Sequence, residues 1–132
     1  MGLFIKEALF KTYMQQVDPK LVYEPGHAVI SVNIVNLNPV TNCVYIGDDF
    51  FFAARYNDAF DAFSNGFVLT KHQIASITLK SKALADQLII ETTEEDPHSH
   101  QPLTLKMSLP KINQTSWHVK NLKLLRQRLA KA

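Results

Sequence analysis

Leu103, Leu105, Met107 and Leu109 alternate without a fault with Thr104, Lys106 and Ser108, the period of a strand that buries one face. A slip of one residue would turn four large apolar side chains to water, so the pattern predicts a strand of firm register. Upstream, Ala28, Ile30, Val32 and Ile34 alternate with Val29, Ser31 and Asn33 behind the turn chemistry of Glu24-Pro25-Gly26, and predict the first strand. Residues 36–42 hold Pro39 and three asparagines and read as a loop. Cys43-Val44-Tyr45-Ile46 and residues 50–55 flank Gly47-Asp48-Asp49, a tight hairpin. Residues 56–66 mix Asn, Asp, Ser and Gly with Phe60 and Phe63, the composition of a connecting loop whose two rings need cover. Phe67-Val68-Leu69 and residues 74–80 are short apolar runs on either side of Lys71-His72-Gln73, with Ile77 and Leu79 sharing a face. Residues 87–92 place Leu88 and Ile90 on one side, and residues 93–102 read as an acidic loop containing histidines.

The two ends of the chain follow the helical period instead. Leu3, Phe10, Met14 and Val17 recur at spacings of seven, four and three and predict a helix that stops before Asp18-Pro19, where proline blocks continuation. Phe4 projects from the other side and Lys6 intrudes on the apolar one, so this helix is expected to dock on the body. Pro110 ends the last strand, and Thr115 or Ser116 is placed to cap a closing helix that runs to about residue 130. Its His118, Leu122, Leu125 and Leu129 fall on one face, expected to meet the core, while Trp117 and Leu124 lie about 120° away. The order is therefore helix, about seven strands, helix: an N-terminal amphipathic helix over residues 1–17 and a domain over residues 20–132, together one compact unit.

Composition narrows the class. With 132 residues, 46% hydrophobic and 20% charged, the chain suits one ordinary globular core rather than two or a disordered segment. The lone Cys43 cannot form an internal disulfide, which suits a reducing compartment and a cytoplasmic location. Lys6, Glu7 and Lys11 interrupt the opening residues too early for a secretory leader, and Lys6 occupies the position where a myristoylation motif at Gly2 needs Ser or Thr. The longest aliphatic or aromatic run, residues 50–54, is far below the roughly 18 residues of a membrane span, so no transmembrane segment is expected. Charge is uneven: residues 97–132 carry seven Lys or Arg and no acid, whereas the first 96 residues hold seven basic and twelve acidic ones.

Three segments at the joints carry a resemblance. Glu24-Pro25-Gly26-His27, Gly47-Asp48-Asp49-Phe50-Phe51-Phe52 and Val68-Leu69-Thr70-Lys71-His72-Gln73-Ile74-Ala75-Ser76-Ile77 stand in that order before the closing helix. Bacterial pleckstrin-homology-like domains and the related GRAM domains carry there a Gly-Glu-like turn, a Thr-x-x-Arg-Leu-x-Phe hairpin and an Ile-Pro-Leu-x-x-Ile-like segment. The chain resembles that family from about residue 22 to residue 129. It departs from it at Gly47 and Phe50, which stand in the places of the family's Thr and Arg, and in its added N-terminal helix. The resemblance implies a mainly β (α+β) fold: a two-sheet barrel of about seven antiparallel strands, with a C-terminal helix plugging one open end. It also implies a binding scaffold rather than a catalyst, although fold alone does not dictate function.

The residues themselves point to few chemistries. Gly2, Gly26, Gly47 and Gly66 are too dispersed for a phosphate-cradling loop, and there is no Cys-x-x-Cys pair or His-Glu-x-x-His helix. No cofactor or catalytic group is therefore expected. His98 and His100, with Glu94, Glu95 and Asp96, come nearest to a metal-ligand set but lack a third fixed ligand, and Asp58 and Asp61 do not have calcium-loop spacing. Lys120, Lys123, Arg126, Arg128 and Lys131 form a candidate surface for anionic lipid; the same charges complement a helix macrodipole. Nucleic acid is disfavoured because no aromatics interleave with these cations. Phe60 with Phe63, Trp117 with Leu124, and Phe4 form a candidate partner surface. The expectation is a non-catalytic binding or scaffold module acting through protein contacts, self-association included. The alternatives are a peripheral binder of anionic lipid, through either helix, and a small-ligand-binding β-barrel.

Overall fold

The alternating segments become seven strands, and the segments of helical period become two helices. The computed structural model describes residues 5–111, 113 and 115–130. In chain order it contains α1 (Glu7–Val17), β1 (Ala28–Val35), β2 (Asn38–Ile46), β3 (Phe50–Asn57), β4 (Ala62–Thr70), a 3₁₀ turn (Lys71–Gln73), β5 (Ile74–Ser81), β6 (Ala85–Glu95), β7 (Pro102–Pro110) and α2 (Ser116–Ala130). The fold is mainly β, with two antiparallel sheets ordered β1-β2-β3-β4 and β5-β6-β7.

Cover on both faces of the first sheet explains its near-continuous apolar runs. Phe52 and Ala54 join Ala28, Ile30, Cys43, Tyr45 and Tyr56 under α1, which contributes Phe10 and Met14. Phe51 and Ala53 point the other way, joining Val29, Val44 and Ile46 against Leu88, Ile90, Leu109, Leu122 and Leu125 of the second sheet and α2. An 11-residue helix with no side-chain cap at Lys6 has little stability of its own. Docking supplies it: burying Phe10 and Met14 stabilises by roughly 1.5–3 kcal/mol each. Val17, expected on the docked face, is exposed at the end of α1, and Leu3 and Phe4 lie outside the described residues.

Several expectations are corrected. Residues 56–66 are a hairpin rather than a loop, with Tyr56 opposite Phe63 and Asn57 opposite Ala62. The Phe63 ring packs at a tilt among Phe10, Tyr13 and Tyr56 at centroid distances of 5.3, 5.8 and 5.2 Å, so cover supplied by α1 overrides the local turn composition. Residues 36–42 shrink to a turn at Asn36 and Leu37, whose φ values of 51° and 68° give the backbone twist favoured in two-residue hairpins. The acidic loop starts only after Glu95. Along β7 the apolar face is buried at Leu109, half-buried at Met107 and Leu105, and exposed at Leu103, because the strand outruns its cover.

The expected closed barrel is also corrected. Among the described residues no backbone ladder joins β1 to β7. Side chains occupy that seam. Asn33 Oδ1 accepts the Ser108 N–H at 3.0 Å. Further along β1, buried His118 accepts the Ile30 N–H on Nδ1 at 2.8 Å, and Asn121 Nδ2 donates to the Ala28 carbonyl at 2.9 Å. Part of the edge of β1 is thus satisfied by α2, which takes two of its backbone groups in place of a neighbouring strand. His118, Leu122 and Leu125 are buried here and Leu129 is half-buried, as the helical period predicted. Leu124 crosses Gly26, whose φ of 97° favours glycine and where an added Cβ would lie 3.2 Å from Leu124 Cδ1.

Candidate functional site

The four described residues of the expected partner surface do not form one patch, and Phe4 lies outside the described residues. Phe63 and Trp117 are half-buried in the cluster beneath α1, where Trp117 Nε1–H donates to the Ile5 carbonyl at 2.7 Å. Phe60 is 79% exposed at the β3–β4 turn, and Leu124 lies on α2 beside Gly26. The basic set divides as well. Lys120 and Lys123 are exposed, Arg126 pairs with Asp86, and Arg128 Nη2 donates to the Ile46 carbonyl at 2.8 Å and sits 3.5 Å from Asp48 Oδ1. Lys131 lies outside the described residues. Two of the named cations are therefore tied to the body, and of the described ones Lys120 and Lys123 are exposed.

His98 and His100 occupy the exposed β6–β7 turn. His100 Nδ1 is 2.9 Å from Glu95 Oε1, and the His98 N–H donates to Asp96 Oδ1 at 2.8 Å. Among the described residues no group of three or more His, Cys, Asp or Glu is arranged to hold a metal ion. Burial pushes the Cys43 thiol pKa up, with the nearby Glu7 charge adding to the shift. Burial also raises the Tyr23 and Tyr56 phenols, which hydrogen-bond Glu7 and Asp61. His118 is shifted the other way: desolvation lowers its pKa, against the bond to the Pro110 carbonyl and with the charge of Arg126.

The feature that composition did not reveal is a groove of about 490 Å³ between β5 and the C-terminal half of α2, lined by Ile77, Thr78, Leu79, Ser81, Asp86, Arg126 and Leu129. Alternation along β5 directs Ile77 and Leu79 toward α2, where Leu129 faces them, and gives the groove an apolar floor. One wall is the outer edge of β5, which pairs with no strand among the described residues. Its polar end is built by β6. Asp86 shares the inward parity of Leu88 and Ile90, so its side chain is carried beneath α2 and is only 1% exposed as a residue. Oδ2 lies 2.5 Å from Arg126 Nε, while Oδ1 has no hydrogen-bond partner among the described residues and sits 3.8 Å from Lys111 Nζ. Lys111 Nζ in turn donates to Ser81 Oγ at 2.9 Å. An acid on the apolar parity of a strand was the one sequence signal for this site.

A larger hollow of about 580 Å³ lies between the β1–β2 and β3–β4 ends of the first sheet, lined by Val32, Pro39, Val40, Thr41 and residues 55–59. Its charged residues, Arg55 and Asp58, are exposed, so it lacks the buried ion pair of the β5 groove. No helix among the described residues is long and apolar enough to cross a membrane. No family model matches the chain, and no curated protein or solved structure is significantly similar to it.

Proposed function

We propose that the chain is a non-catalytic binding module of pleckstrin-homology-like build that takes an extended segment of a partner protein along the free edge of β5. The observation that carries this reading is the coincidence of an unpaired strand edge with an apolar floor of Ile77, Leu79 and Leu129 and a polar end at Ser81 and Arg126. A free edge offers alternating N–H and C=O groups, and an added strand satisfies them while every second side chain enters the adjoining groove. Phe51, Leu88, Ile90, Leu109, Leu122 and Leu125 fill the space behind the groove, which favours a surface site over an interior chamber. A four-stranded sheet, a three-stranded sheet and a helix over their seam support the architectural half of the proposal.

The test is a titration of the ¹⁵N-labelled chain with a neutral eight-residue peptide of alternating Val and Gln, acetylated and amidated. Amide shifts are expected in β5 and in the part of α2 around Arg126 and Leu129. Shifts confined to other elements, or none at millimolar peptide, would overturn the reading.

A further inference from the structure

We infer that the polar end of the β5 groove reads a carboxylate, so that the accepted segment carries an acidic side chain there; this rests on the groove reading above. The argument starts from how Arg126 is held. Asp86 takes Nε at 2.5 Å from a position where its side chain is fully buried, and the Arg126 side chain keeps 40% of its surface exposed. Neither Nη group makes a hydrogen bond among the described residues. The guanidinium is therefore fixed at its inner edge, and its outer fork can give two parallel N–H bonds to a carboxylate.

Lys111 brings a second cation to the same end, through its 2.9 Å bond to Ser81 Oγ on the groove wall. Two cations face one carboxylate, and Asp86 is the only acid among the described residues lining the groove, so the end of an apolar slot holds positive charge in excess. Asp86 acts as a positioning residue. A leucine would fill the same inward parity as Leu88 and Ile90 without the desolvation cost of a carboxylate, whereas a carboxylate there aims Arg126.

The probes are the alternating Val and Gln peptide with Asp at one end and the same peptide with Asn there, each made with the variable residue first and last, acetylated and amidated. For the better orientation the Asp peptide is expected to bind about tenfold more tightly than its Asn counterpart, as one charge-assisted contact supports. This ratio should fall toward one in about 0.5 M salt and in Lys111→Gln combined with Arg126→Gln. Because Arg126→Gln strands Asp86, the triple variant Asp86→Asn, Lys111→Gln and Arg126→Gln provides a second form in which an amide pair replaces the ion pair; the ratio should collapse there too. Equal binding of Asp and Asn peptides to the wild-type chain, with shifts in β5, would overturn the carboxylate inference and leave the groove reading standing. Absence of β5 shifts with any peptide would overturn both. Inorganic phosphate or laurate alone displacing the Arg126 side-chain resonance as strongly as the Asp peptide would assign the site to a free anion and also overturn the inference.

Discussion

Lowering the pH should weaken this fold through His118. The ring bridges the seam as a neutral tautomer: Nδ1 accepts from the Ile30 N–H at 2.8 Å, and Nε2–H donates to the Pro110 carbonyl at 2.7 Å. Protonation would place a second N–H against the Ile30 N–H. Burial accordingly depresses the pKa in the folded state, whereas the unfolded chain takes a proton near pH 6.5. A depressed folded value means that the contribution is fully present above about pH 6.5, is lost as pH falls through that value, and levels off below the folded pKa. One proton gives a slope of at most about 1.4 kcal/mol per pH unit, so the interval from pH 6.5 to 5.0 removes up to about 2 kcal/mol. Against a stability of about 5–15 kcal/mol for a domain this is measurable. Urea unfolding followed by Trp117 fluorescence, compared between wild type and His118→Gln, isolates the effect from carboxylates common to both. The wild type should lose stability more steeply over this range. Parallel pH dependences would refute the reasoning. Replacing the ring with leucine should cost about 1–3 kcal/mol at pH 7.5 from the buried Ile30 N–H, which loses its partner, with a smaller addition from the part-buried Pro110 carbonyl.

Other perturbations test the remaining packing. Gly66→Ala would place a Cβ 2.8 Å from Tyr13 Cε2 and 2.9 Å from Phe52 Cζ, so it should destabilise by about 1–3 kcal/mol in chemical denaturation and loosen α1, read as faster amide exchange in Glu7–Val17. Cys43, buried with its thiol pKa raised, should resist Ellman's reagent in the native chain and react fully in denaturant; native reactivity would contradict its place in the core. Asp86→Ala should cost about 1–3 kcal/mol, since Arg126 and Lys111 lose a charged hydrogen-bond partner but stay within reach of water, while Asp48→Ala at an exposed 3.5 Å pair should change the urea midpoint little.

Periodicity is a property of residues only a few positions apart, and it determined what depends on such neighbours. The helical face of His118, Leu122, Leu125 and Leu129, the tight turn at Gly47-Asp48-Asp49 and the positions of most strands followed from the sequence alone. Where another element supplied the energy, local chemistry misled: the Asn- and Gly-rich stretch around Phe60 and Phe63 pairs as strands because α1 covers Phe63. Tertiary structure also decided the seam and the candidate site. His118 meets Ile30 across 88 residues, Asn121 meets Ala28 across 93, and Arg126 meets Asp86 across 40. No spacing rule relates such pairs. His118 read from sequence is one more member of an apolar face, and Arg126 one more exposed cation; only the packing of α2 over the two sheets turns the first into a cap for a strand edge and the second into a guanidinium held at the end of a groove. The physical reason is that hydrophobic pattern selects which face of an element is buried, while the partner a buried polar atom finds is chosen by how whole elements stack.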